Sequence, residues 1–169
     1  AKLVDPDEWG VGRRIISRTL PEAGDARGAY KTPAAHSAES PPVQAEAEFH
    51  AGWYALRFLK DANTAGRHFN RILSVSSTPI SQARAHYWLG RTKSGMAATP
   101  HYKAAAQHKG TFYGQLSAQK LGQTKLTISN PSPSAADRGR FASRELVRAL
   151  AAFEAAGDHG ATMDALLGQ

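Results

Sequence analysis

Apolar and polar positions along this chain follow a helical period rather than an extended one. The clearest stretch carries Phe49, Trp53 and Leu56 at spacings of four and three, which aligns them on one helical face. Its next neighbour repeats the pattern with Ala65, Phe69 and Ile72 behind a capping Asp61. Further on, Thr78-Pro79 opens a helix with Ile80, Ala83 and Tyr87 facing inward, and Thr99-Pro100 opens another. Thr111 caps a helix through Phe112, Leu116 and Leu121 that Gly122 stops. Before all of these, Asp5-Pro6-Asp7-Glu8 starts a first helix through Trp9, Ile15, Ile16 and Leu20. Pro21 and Gly24-Asp25 turn the chain, and a second helix through Ala26, Ala29 and Tyr30 packs back. A polar, proline-rich connector from His36 to Pro42 follows.

Two of these helix pairs are written in nearly the same words. Trp53 and Trp88 stand 35 residues apart, Arg57 and Arg91 34, and His68-Phe69 and His101-Tyr102 33. That offset is close to the unit of about 34 residues found in tetratricopeptide arrays. A helical hairpin cannot bury its apolar stripe alone and must stack on neighbours. The expected fold is therefore all-α, a superhelical array of antiparallel helix hairpins resembling a tetratricopeptide solenoid. The array is expected over residues 1–122, a linker over 123–134, and a terminal helix pair over 135–169 that continues the superhelix. In that pair a helix from Ala135 to Ala156 carries Phe141, Leu146 and Leu150, Gly157-Asp158 turns, and Ala161 to Leu167 returns. Gly10, Gly12 and Gly66 fall at helical positions, each costing about 1 kcal/mol against alanine, so the first hairpin is expected to be looser than the middle.

Composition narrows the chemistry. The formal charge of +7 is made of single, scattered basic residues, which read as a solvated surface rather than a nucleic-acid stripe. There is no cysteine, so neither a disulfide nor a thiolate site exists. No run approaches the roughly 18 apolar residues of a membrane span. The chain begins at Ala1-Lys2-Leu3 without an initiator methionine, so a processed product or an excised fragment is expected.

Catalytic signatures are missing from the sequence. It has no Gly-x-Ser-x-Gly elbow, phosphate loop or dinucleotide fingerprint. Glu46 and Glu48 read as acids near a helix start, and Glu145 and Glu154 as surface partners of Arg144 and Arg148. No two of the seven histidines stand at i, i+4, so no metal and no cofactor is expected. Trp53-Tyr54, Tyr87-Trp88 and Phe112-Tyr113 are adjacent aromatic pairs whose members point about 100° apart. Each pair suits packing between hairpins, or else a groove that stacks sugar or binds peptide. The candidate binding residues are Arg57, Arg91, Tyr54, Trp88 and Tyr113.

Taken together, the run from Ala47 to Leu59, the pair His68-Phe69, the run from Ser76 to Arg91 with its Trp88-Leu89-Gly90-Arg91, and Thr111-Phe112-Tyr113-Gly114-Gln115-Leu116 resemble the α-superhelical region of soluble lytic transglycosylases. The proteobacterial forms are the most similar, and the resemblance covers roughly residues 5 to 167. It implies a periplasmic, non-catalytic segment that positions or encloses peptidoglycan glycan strands for a lysozyme-like domain. That domain's motif, a Glu-Ser followed later by Gly-Leu-Met-Gln, is absent: Glu39-Ser40 matches its first two residues, but Pro41-Pro42 follow. The implied partners are the glycan, the segment's own catalytic domain or another protein. A free-standing tetratricopeptide-like scaffold that binds a protein or peptide is the alternative.

Overall fold

The computed structural model describes residues 4–123, 125, 132–157 and 160. Among them every regular element is helical: α1 (Pro6–Thr19), α2 (Ala26–Ala34), α3 (Pro41–Arg57), α4 (Ala62–Val75), α5 (Pro79–Arg91), α6 (Thr99–Ala106), α7 (Phe112–Lys120), α8 (Ala135–Ala142) and α9 (Glu145–Ala155). A 3-10 turn, Gly95–Ala97, runs into α6 and was not foreseen in the sequence. The chain divides into two compact units, Ala1–Leu126 and Thr127–Gln169.

The start signals work as side-chain chemistry. Asp5, Asp61, Thr78 and Thr111 each accept a hydrogen bond from the backbone N–H three residues on, satisfying a donor that the first turn leaves orphaned. Pro6, Pro41, Pro79 and Pro100 occupy first turns, where a missing N–H costs nothing. The third helix is capped differently. Ser40 makes no side-chain cap; the carboxylate of Asp7 reaches across from α1 and accepts the N–H groups of Glu39 at 2.8 Å and Ser40 at 3.2 Å. The helix accordingly begins at Pro41, inside the expected connector. Glu46 and Glu48 thus lie beyond its first turn, and the reading of both as helix-start acids fails.

In the first unit each helix packs on the next in sequence, and α1 also meets α3 while α5 meets α7. The core is built around Ala55, Ala65, Phe69, Ile72, Ala85 and Leu89. The stripe Ala65, Phe69, Ile72 is wholly inside, as the spacing predicts. On α3 the buried residues are Ala45, Ala47, Glu48, Ala51, Gly52, Tyr54 and Ala55, so burial runs around much of the helix instead of along one face. Its neighbours α1, α2 and α4 account for that, and the run of small residues lets them come close. Phe49, Trp53 and Leu56 pack against this core while staying partly open. Ile80, expected inside, is 68% exposed, because residues 77–80 at the head of α5 all stand in solvent.

Two glycines make the helix pairs possible. A Cβ built on Gly52 would lie 2.6 Å from Cε1 of Phe69 on α4, and one on Gly90 would lie 2.6 Å from Cε1 of Tyr102 on α6. Each ring rests where a side chain would otherwise be. Gly10 plays the same part between α1 and Val43 of α3, so its helical cost comes with a close approach.

In the second unit the helix expected over 135–156 is two helices, broken at Ser143–Arg144. Arg144 is extended, with ψ 136°, and Ser143 Oγ donates to the carbonyl of Arg140 at 2.9 Å, competing locally with helix continuation. A capping box of Ser134 and Asp137 starts α8. The helix expected over 161–167 lies outside the described residues.

Candidate functional site

Three of the five predicted binding residues come together. The Arg91 guanidinium stands 5.6 Å from the centre of the Trp88 ring and 6.0 Å from that of Tyr87, and it donates to the Tyr87 hydroxyl at 3.2 Å. Tyr113 places its ring 5.2 Å from Tyr87 and 6.4 Å from Trp88. The remaining two belong to α3 and have other partners. Tyr54 is buried, with its hydroxyl 3.4 Å from Ser17 Oγ of α1, whereas Arg57 is exposed at the helix end. Trp88 is nearly covered as well, with Phe49 edge-on at 6.3 Å and Phe69 tilted against it at 6.1 Å. Much of this aromatic set therefore joins hairpins, with Arg91 its open, cationic edge.

A concave site lies elsewhere, where the end of α1 meets α3. It encloses about 400 Å³ and is lined by Arg18, Pro21, Glu22, Phe49, His50, Trp53, Tyr54 and Phe58. The ring of Trp53 stands nearly perpendicular to Tyr54, at 5.4 Å and 72°, and to Phe58, at 5.7 Å and 73°. His50 Nδ1 lies 2.8 Å from the carbonyl oxygen of Glu46, which can only accept, so Nδ1 carries the proton. Burial pushes the imidazole's pKa down; the Glu46 carbonyl and carboxylate oppose this, and the charges of Arg18 and Arg14 add to it. A neutral His50 leaves Nε2 as an acceptor with no protein partner among the described residues.

Glu48 is the strongest feature that sequence reasoning missed. It is 5% exposed, with Oε2 2.5 Å from His68 Nδ1 and Oε1 3.2 Å from His36 Nε2 and 3.3 Å from Arg71. Behind it, His68 Nε2 meets the Tyr30 hydroxyl at 3.3 Å. Burial pushes the carboxyl pKa up, but hydrogen bonds from His36 and His68 and the charges of His68 and Arg71 outweigh it and hold the value to about 2. One carboxylate thus ties the connector and α4 to α3, and His68 passes the link on to Tyr30 of α2. A signal was present: Glu48 interrupts the stripe Ala45, Gly52, Ala55 at helical spacing, which is no place for a solvated acid. Glu46 performs a second tie, 2.7 Å from Arg84 of α5 and 3.9 Å from Arg14 of α1. Arg84 in turn lies 4.3 Å over the Phe49 ring.

Among the described residues no cluster of three or more histidines and acids is arranged to hold a metal ion. Compared with known proteins, the chain matches no family model, no curated protein and no solved structure.

Proposed function

We propose that this chain is a non-catalytic superhelical segment of a periplasmic peptidoglycan lytic transglycosylase, in which stacked helix hairpins position or enclose glycan strands for a lysozyme-like domain. The observation that supports a stacked array is the line of side-chain contacts through alternate helices. Ser17 of α1 meets Tyr54 of α3, Glu46 of α3 meets Arg84 of α5, and Trp88 of α5 meets Tyr113 of α7. Such next-but-one coupling is what repeated hairpins need in order to share a continuous core. The murein assignment rests on the wording of the sequence, above all Trp88-Leu89-Gly90-Arg91 and Phe112-Tyr113-Gly114-Gln115-Leu116. A positive net charge favours a glycan bearing acidic peptide stems.

The test is co-sedimentation of the purified chain with peptidoglycan sacculi, followed by analysis of the soluble fraction. Salt-sensitive retention without release of anhydromuropeptides is the expected result. Release of anhydromuropeptides would overturn the non-catalytic role. Absence of retention, with saturable binding of one protein partner, would favour the free-standing tetratricopeptide-like scaffold instead.

A further inference from the structure

The concave site between α1 and α3 combines features that constrain its ligand without reference to any relative. Its walls are aromatic, its volume of about 400 Å³ sits at the small end of ligand pockets, and its polar groups are few and of different kinds. Arg18 and Glu22, both exposed, contribute one donor-only and one acceptor-only group at the rim, and neither has an ion-pair partner among the described residues. His50 adds an acceptor at Nε2. Tyr54 presents its ring, since its hydroxyl is turned to Ser17.

Each class of small ligand meets this lining differently. An anion would gain Arg18 but face Glu22, and a cation would gain Glu22 but face Arg18. A wholly apolar ligand would use neither rim charge and would leave the enclosed His50 Nε2 without a partner. A neutral ring carrying several hydroxyls meets every demand: its C–H face stacks on Trp53, and hydroxyls, which donate and accept alike, satisfy Arg18, Glu22 and His50 together.

We propose that this pocket, and not the Arg91, Trp88 and Tyr113 group, is a saccharide subsite that takes one neutral pyranose ring stacked on Trp53, with its hydroxyls shared between Arg18, Glu22 and His50. The glycan context rests on the functional reading above; the choice of ring chemistry rests on the lining.

The experiment titrates the ¹⁵N-labelled full chain with the uncharged β-1,4-linked tetramer of N-acetylglucosamine and follows the three tryptophan indole N–H signals. The Trp53 signal is expected to shift saturably while that of Trp9, 55% exposed on α1, stays in place. Arg18→Gln and Glu22→Gln, two surface changes that leave the core intact, should each weaken binding roughly tenfold. No shift at millimolar tetramer, a shift confined to Trp88 or Trp9, or indifference to both rim substitutions would overturn the proposal. So would saturation of the Trp53 signal by a neutral phenylalanine-containing tetrapeptide in place of the tetramer. Retention by sacculi with a silent Trp53 would sink the pocket and spare the transglycosylase reading. Tetramer binding at Trp53 without retention by sacculi would do the reverse.

Discussion

Glu48 Oε2 and His68 Nδ1 meet at 2.5 Å in a setting where both side chains are only 7% exposed. The contact pins α4 to α3 by a charge-assisted hydrogen bond that water does not dilute. Truncating Glu48 takes the shared acceptor from His68 and His36 and the opposite charge from Arg71, a change that costs about 3–5 kcal/mol. Glu48→Ala should therefore lower the urea midpoint severely, and Glu48→Gln, which keeps the shape and one acceptor, should lower it less. Equal midpoints for Glu48→Ala and the parent would show that the pair does not hold the hairpins together.

The same carboxylate makes stability depend on acid. Its folded pKa, about 2, lies below its ordinary 4.5, so its contribution is complete above 4.5 and is lost as pH falls toward 2. The span corresponds to on the order of 3 kcal/mol. Chemical unfolding at a series of pH values should show a steep loss across that window, flattened in Glu48→Gln.

A second pH window comes from histidines. Burial lowers the pKa of His86 and of His101, whose rings lie 5.9 Å apart, and their charges would oppose one another; His108 and Lys93 add further positive charge nearby. Groups whose folded pKa lies below 6.5 bind protons better when unfolded, so stability falls as pH drops below 6.5. His86 Nδ1 is buried without a hydrogen-bond partner, so nothing offsets its charging. Thermal melts at pH 7.5 and 5.5 should differ in the parent and differ less in His86→Leu.

Glycine substitutions should split by location. Gly52→Ala drives a methyl into the fully buried Phe69 ring, and overpacking of that kind costs about 1–3 kcal/mol. Gly12→Ala meets nothing within 4 Å inside α1 and should gain up to about 1 kcal/mol. Differential scanning calorimetry reads both, and a melting temperature raised by Gly52→Ala would contradict the close approach.

Arg57 and Arg91 are both exposed, so replacing either with alanine should change stability by less than about 1 kcal/mol. A loss of several kcal/mol in Arg91→Ala would mean that its place over Trp88 and Tyr87 is structural.

Helix positions were legible because caps, first-turn prolines and the 3.6-residue period act over a few residues. Asp61, Thr78 and Thr111 behave as their types and places require. What local pattern could not convey was which polar residues would be enclosed. Glu48 resembles any helix-start acid until α2 and α4 close over it, and Asp7 resembles an ordinary first-turn acid until it reaches the backbone at Glu39 and Ser40. The pocket was half legible. Tyr54 is a candidate in the sequence, and His50 and Phe58 stand four residues to either side of it on one helical face, but Arg18 and Glu22 join them only through the meeting of α1 and α3.

The two glycine–aromatic contacts also limit how interchangeable the written repeats are. Gly52 and Phe69 are 17 residues apart and meet well inside α3, whereas Gly90 and Tyr102 are 12 apart and meet at the last turn of α5. The second hairpin thus pivots next to its own bend and the first pivots further back. A gene that replaced one copy by the other would preserve the lettering and misplace the pivot, setting an aromatic ring against a residue with a side chain. The contact stands at a different place along the helix in each copy, so each copy is fitted to its own place in the chain.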